Sequence, residues 1–224
     1  MNNPSQQPAL SVVHADAHLI VLDKPAGLLC VPGRGEDKQD CLSARVQQRW
    51  PECLIVHRLD MATSGLVLMA RSLEMQRALG KAFERRQVHK RYEAVVLGQP
   101  AATRHGPQPE AWAEIDLPLI VDWLRRPRSK VDHAIGKPSR TRWQALGPGP
   151  LPETTRVRLE PLTGRTHQLR VHLMALGHPI VGDPLYAPPE TQALSPRLLL
   201  HACELGFEHP ASGQHLHLCS PTPF

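Results

Sequence analysis

Aromatic side chains are scarce in this chain, with four tryptophans, two tyrosines and three phenylalanines among 224 residues. That argues against a sheet of base-stacking aromatics of the RNA-recognition-motif kind, so any nucleic acid bound here must be held by arginine and by shape. No apolar run approaches the length that spans a bilayer, and the polar, proline-containing start from Met1 to Leu10 has no signal-peptide core, which predicts a cytoplasmic protein. Five cysteines at 30, 41, 53, 203 and 219 are odd in number, irregular in spacing and without a C-x-x-C pair. They argue against a disulfide scaffold or zinc ribbon and read as reduced, mostly buried thiols. Also absent are G-x-G-x-x-G, G-x-x-x-x-G-K-[ST] and H-E-x-x-H, which removes the commonest dinucleotide, phosphate-loop and zinc-protease readings.

What is present is an ordinary soluble composition, 41% hydrophobic and 21% charged, long enough for one large domain or two lobes. Lysine and arginine number 26 against 21 acidic residues, a net charge of +5 that hints at an anionic partner. Leu19 to Leu22 reads as a strand closed by the turn 23–27, and Asp40 reads as the cap of a short helix with Leu42, Val46 and Trp50 on one face. Ser72 to Gln87 carries the clearest helical period, through Met75, Leu79, Ala82, Phe83 and Arg86. Tyr92 to Leu97 is strand-like, and Ala101 to Glu110, near Pro100, Pro107 and Pro109, reads as a loop. Ile115 to Val121, Thr141 to Ala145 and Arg156 to Leu159 are further expected strands. A second helix is expected from Thr166 to Leu176, stopping at Gly177, and Leu198 to Ala202 and Leu216 to Cys219 flank the turn of a terminal hairpin. Strands joined sometimes by helices and sometimes by turns predict an α+β fold with a mixed, mostly antiparallel sheet and flanking helices.

Two charged clusters stand out. In Val56 to Ala70 a strand-like apolar run begins with His57, Arg58 and Asp60; an extended backbone places Arg58 and Asp60 on one side and His57 and Leu59 on the other. Asp60 then borders the core and needs a cation, from Arg58 or from a distant arginine. In Leu162 to Arg170, Thr163-Gly164 ends a strand and Arg165, Thr166 and His167 fall at a helix start, where backbone N–H groups favour an anion. Plainer readings stand beside these: a structural ion pair at a strand edge, turn chemistry with a solvated arginine, a core tyrosine at Tyr92, and a solvated loop at Arg125 to Lys130. The tail holds Cys203, His209, His215, His217 and Cys219, with 215, 217 and 219 alternating onto one face, so a metal hydrolase is a rival reading.

His57-Arg58-Leu59-Asp60 followed by Thr63-Ser64-Gly65-Leu66 resembles the signature segment of the RluA family of RNA pseudouridine synthases. Lys90-Arg91-Tyr92, the run Gly164 to His172, the run Gly177 to Asp183, and Leu198-Leu199-Leu200-His201-Ala202 resemble its later motifs in the same order, from about Leu19 to Pro221. Within the family, Val31 to Arg34, Asp60 to Ser64, Leu117 to Ile120 with Asp122-Trp123, and Gly136 to Pro138 are similar to the dual-specificity members that act on ribosomal and transfer RNA.

The resemblance implies the pseudouridine synthase fold, with an RNA-binding cleft, and an isomerase that turns uridine into pseudouridine. Its substrates would be a large-subunit (23S) ribosomal RNA stem-loop near position 746 and position 32 of certain transfer RNA anticodon stem-loops. The reaction breaks a carbon–nitrogen bond and rejoins the base through carbon with nothing gained or lost, so it needs neither cofactor nor metal. Asp60 matches the catalytic aspartate, Arg165 would pair with it, Tyr92 would lie against the uracil and Leu200 would help form the apolar wall. The target base must be extruded, and Arg58 would fill the vacated space. His57, Lys90, Arg91, Arg126, Arg128, Lys130 and Arg170 would contact substrate, mostly through phosphates. A tail over residues 1–10 and one catalytic domain over 11–224, without a separate N-terminal RNA-binding domain, complete the expectation, together with a monomer. The second rival is a catalytically inactive RNA-binding protein.

Overall fold

The computed structural model describes residues 10–101 and 112–224; most of the expected tail and the loop expected over Ala101 to Glu110 lie outside the described residues. Ten strands form one sheet, in the order β1 (Ser11–Ala15), β2 (Leu19–Lys24), β4 (Ser64–Ala70), β11 (Leu200–Glu208), β5 (His89–Leu97), β10 (Thr154–Pro161), β9 (Arg140–Pro148) and β6 (Ala113–Asp116). β3 (Leu54–Ile55) adds to β4, and β12 (His215–Cys219) adds to β11. All pairings are antiparallel except β4 with β11, which run parallel through His201 opposite Ser64 and Ala202 opposite Gly65. The fold is therefore α+β with a mixed, mostly antiparallel sheet, as the sequence predicts.

That parallel contact has a local cause. Gly65 sits at φ 114°, and a Cβ there would run into the Ala202 backbone. Only glycine lets the two strands approach so closely. The approach brings the loop before β4, which carries Asp60, beside Leu200 at the start of β11.

Among the described residues four α-helices flank the sheet. α2 (Leu73–Glu84) is capped by Ser72, whose hydroxyl accepts from Met75 N at 3.1 Å, and buries Met75 and Leu79 beneath β4. α1 (Leu42–Arg49) is capped by the Cys41 thiol, not by Asp40. Asp40 instead takes the Arg45 guanidinium through two bonds of 2.7 Å, so the cap position falls one residue later than the sequence suggests. α3 (Gln168–Ala175) starts later than expected, because His167 adopts a left-handed backbone, φ 57°, just before it. All of Gln168 to Leu173 is buried, whereas Leu176, assigned to the same apolar side by spacing, is 39% exposed. α4 (Pro189–Ala193) and β1 carried no expectation.

The strand expected over Ile115 to Val121 is two. Pro118 separates β6 from β7 (Leu119–Val121), which leaves the main sheet and pairs with β8 (Ser129–Val131) in a separate two-stranded ribbon. Part of the basic run read as a loop is thus β8 and the ribbon's tip. All five thiols are free, and only Cys219 is exposed.

Candidate active site

A cleft of about 870 Å³ opens over the middle of the sheet, between the Asp60 loop, β5, α3 and the start of β11. Residues 56–63 enter it without regular structure, so the alternation expected of an extended segment appears in burial only: Arg58 is exposed, Leu59 buried and Asp60 half-buried. Tyr92 and Lys90, two apart on β5, both face the cleft, and Leu200 closes its floor.

Asp60 meets two partners from the α3 region. Arg170 Nη1 donates to its Oδ2 at 3.4 Å, and His167 Nε2 lies 3.7 Å from its Oδ1. Arg170 is itself gripped by Asp183 through bonds of 2.8 and 2.6 Å, both side chains almost fully buried. Burial pulls the Arg170 pKa down, but the hydrogen bonds and charge of Asp183, with Asp60 adding to them, leave it above the ordinary arginine value. The Arg165–Asp60 pair expected from the sequence is not formed in this structure: Arg165 lines the cleft, and its Nε donates to Pro138 O at 3.4 Å. The reason is geometric. Arg165 lies in the loop ahead of the left-handed His167, whereas Arg170 is in the first turn of α3 and aimed by Asp183. Arg170, expected as a phosphate contact, is buried between the two carboxylates.

Other residues expected at the substrate have partners within the protein or lie outside the cleft. His57 is held as a structural group, stacked on Phe83 with ring centroids 4.7 Å apart, its Nε2 accepting from Leu68 N at 3.0 Å. Burial, with Lys90 adding to it, pushes its pKa down to about 3, so it is neutral. Arg91 points to the opposite sheet face from Lys90 and Tyr92 and pairs with Glu204 at 3.2 Å. Lys130 pairs with Asp132 at 3.3 Å, and it and Arg128 lie on the β7–β8 ribbon, outside the cleft lining.

The site also contains groups that sequence reasoning missed. Tyr186 O–H accepts from Ser129 N at 2.7 Å and sits 2.7 Å from His167 Nδ1, joining the ribbon to the residue beside Asp60. In the tautomer that carries its proton on Nε2, His167 accepts the phenol proton at Nδ1 and directs N–H at Asp60. Burial lowers the His167 pKa against the pull of Asp60. Burial likewise raises that of Tyr186.

Lys24, fully buried, donates to the carbonyls of Pro25 (2.8 Å), Leu28 (2.8 Å) and Met61 (3.2 Å). It staples the residue after Asp60 to the β2 turn. Burial brings its pKa down to about 8 although nearby acids, Asp60 among them, oppose the shift. Behind the loop, Ser64 Oγ lies 2.9 Å from His201 Nδ1, His201 Nε2 lies 3.0 Å from Ser220 Oγ, and that hydroxyl donates to Asp23 at 2.6 Å. A lysine between a buried strand and a Pro-Gly turn was the one available signal for the first of these. The second joins residues far apart in the chain and left none.

Cys203, His209, His215, His217 and Cys219 do not converge. His209 is bound to Asp16 and caps the turn at Ala211 and Ser212, Cys203 Sγ faces Arg91 O, and Cys219 meets only His217, at 3.9 Å. Among the described residues no group of three or more potential ligands is placed to hold a metal.

Comparison with known proteins places the chain in a family. The sequence profile of the RNA pseudouridylate synthase family matches residues 18–175. The chain is 45% identical over 222 residues to the dual-specificity RNA pseudouridine synthase RluA of Escherichia coli strain K12, covering 99% of this chain and 97% of that one. It is 46% identical over 221 residues to the protein of the same description from Pasteurella multocida, with the same coverage. Among solved structures, human RNA pseudouridylate synthase domain containing 1 superposes with a TM-score of 0.76 at 29% identity, over 98% of this chain and 87% of the other. A sheet whose centre presents a carboxylate beside an arginine, a tyrosine and an apolar floor thus coincides with end-to-end likeness to enzymes of one kind, and the chain belongs to the RluA family of RNA pseudouridine synthases, isomerases that act on RNA.

Proposed function

We propose that this enzyme converts the uridine at position 32 of transfer RNA anticodon stem-loops and a uridine near position 746 of 23S ribosomal RNA, with Asp60 as its catalytic carboxylate. The observation that carries the assignment is the cleft in which Asp60 is held by Arg170 and faces Tyr92 and Leu200. The two substrates are those implied by likeness to relatives described as dual-specificity.

The flipped uridine enters with its ribose toward Asp60 and its uracil against Tyr92 and Leu200. The Asp60 carboxylate acts on the sugar, by attack at the anomeric carbon or by taking a sugar proton, and the bond to uracil nitrogen breaks. The apolar floor keeps the free base from leaving while it turns, and its ring carbon bonds to the sugar as the proton on that carbon is lost and one returns to nitrogen. Tyr92 is suited to stacking and not to proton transfer at neutral pH, because burial, with the charge of Asp60, holds its phenol above the ordinary tyrosine value. Arg58, exposed at the cleft mouth, takes the space the base vacates. Arg165 and Lys90 line the cleft as contacts for the flipped nucleotide's phosphates, and Arg126, Arg128 and Lys130 serve the strand that passes the ribbon.

The enzyme works as a monomer in the cytoplasm, through one catalytic domain over residues 11–224. No helix among the described residues is long and apolar enough to cross a membrane.

Asp60→Asn tests the assignment. Wild-type protein should form pseudouridine in an anticodon stem-loop carrying uridine 32 and in a 23S fragment, mapped by carbodiimide and primer extension. The variant should form none while binding both RNAs within about threefold of wild type. Product from the variant would remove Asp60 from the chemistry. Tight binding by wild type without product on either RNA would instead favour a binding protein.

A further inference from the structure

The β7–β8 ribbon ends in a tip whose exposure the fold does not explain. Trp123 is 69% exposed and Leu124 97% exposed, side by side in a single 3₁₀ turn, Trp123–Arg125. Arg126 lies flat against one face of the indole, its guanidinium carbon 3.2 Å from the ring centroid. The other face is left to solvent. Exposed large apolar side chains grouped at a loop tip mark contact sites far more often than structural need.

Position and charge select the occupant. From Asp122 to Lys130 the tip carries Arg125, Arg126, Arg128 and Lys130 against the single carboxylate of Asp122. That is the balance of a surface meeting a polyanion, and two apolar groups ringed by guanidinium are too little for a protein-docking core. The ribbon is also tied to the catalytic cleft. Ser129 N donates to Tyr186, Tyr186 meets His167, and His167 stands 3.7 Å from Asp60. Trp123 follows Val121, the partner of Ser129, by two residues, at the same end of the ribbon. An RNA loop with its target uridine at Asp60 thus has the ribbon as its neighbour on the His167 side of the cleft.

We infer that the Trp123–Arg126 pair is a stacking platform for a second, unpaired nucleobase of the substrate loop, distinct from the flipped uridine. The open indole face takes the base and the guanidinium behind it polarises the ring and meets the adjoining phosphate. Such a site lets one catalytic cleft require a particular loop shape: a rigid stem presents no unstacked base to the ribbon tip. The inference rests on RNA as the substrate class, and the ribbon contributes binding and not chemistry.

The test uses the full chain and whichever RNA hairpin, anticodon or ribosomal, the wild type converts, so that failure of the substrate assignment shows as absent wild-type product. Trp123→Ala should raise KM about tenfold with kcat unchanged, and Trp123→Phe should recover most of the loss. RNA should quench wild-type tryptophan fluorescence more than that of Trp123→Ala, which keeps the other three indoles. Replacing loop nucleotides one at a time by abasic ones should reveal one position where wild type loses as much as the variant did and the variant loses nothing further. Unchanged KM in Trp123→Ala would overturn the inference, as would losses that add fully at every loop position. A shift in self-association with RNA kinetics intact would also overturn it, and would make the tip a protein contact.

Discussion

Arg170 serves two carboxylates, and removing it separates their roles. Its guanidinium is 3% exposed and is held at 2.8 and 2.6 Å by Asp183, whose side chain is 1% exposed. In Arg170→Met the Asp183 carboxylate keeps the backbone donors of Leu185 and Tyr186 but loses its only counter-charge among the described residues. Breaking a buried pair from one side costs about 3–5 kcal/mol, because a charge is left uncompensated in a low-dielectric site. The bond to Asp60, which is 22% exposed, adds no more than about 1 kcal/mol after solvent screening. For a chain of this length each kcal/mol moves the melting midpoint by roughly 2–4 °C, so a fall of about 6–20 °C is expected. Arg165→Met removes only an exposed arginine bonded to a carbonyl and should stay within about 0.5 kcal/mol. Urea denaturation of both variants reads the difference. Arg170→Met combined with Asp183→Leu removes both charges and should recover most of the loss, since a buried pair is often no better than apolar residues of similar volume. A loss below about 1 kcal/mol for Arg170→Met, or a larger one for Arg165→Met, would refute the buried Arg170–Asp183 pair that aims Arg170 at Asp60.

Two further outcomes follow from features away from the reacting atoms. Burial lowers the pKa of His57 to about 3 and also lowers those of His172 and His201, so the folded chain refuses protons that the unfolded chain accepts below about pH 6.5. Stability is therefore full above that pH and falls on acidification, by about 1.4 kcal/mol per pH unit for each such histidine until its folded pKa is reached. Denaturation midpoints measured from pH 7 to pH 4 should show this limb, His57→Gln should flatten it by about one proton, and an unchanged slope would contradict the neutral His57. Gly65→Ala should lower stability by more than about 2 kcal/mol and lower conversion of RNA with it, because the added Cβ meets Ala202 backbone and φ is positive. Near-wild-type melting of that variant would show that β4 and β11 need not approach so closely.

Features governed by local rules were legible in the sequence. The Ser72 cap and 3.6-residue period of α2 depend on neighbours within one turn, and so did the β4 run and the alternation along β5 that aims Lys90 and Tyr92 into one cleft. The place of Asp60 at the cleft was legible for another reason: three ionisable residues before a buried strand have few tolerable explanations. Partner choice was not. Arg165 and Arg170 are five residues apart in one basic motif, and which of them reaches Asp60 is decided by the left-handed turn at His167 and by Asp183, from a later segment. His57, expected at the substrate, is held by Phe83 and by a backbone N–H of β4, contacts with no trace in its own neighbourhood. The departure of β7 from the sheet, by contrast, was written in Pro118 and was readable.

The parallel pairing of β4 with β11, with Ser64 beside His201, also sets the order in which the cleft can come into being. β11 lies between β4 and β5 although its residues come more than a hundred positions after either strand begins, so the centre of the sheet cannot close until this late segment has been threaded into place. Contacts so distant along the chain demand loop closure before any stabilising return, which slows folding and leaves the facing edges of β4 and β5 unpaired in the interim. During synthesis the Asp60 loop therefore waits, with its floor missing, until Leu200 arrives. The capacity to cleave a glycosidic bond in RNA appears only when nearly the whole chain is present.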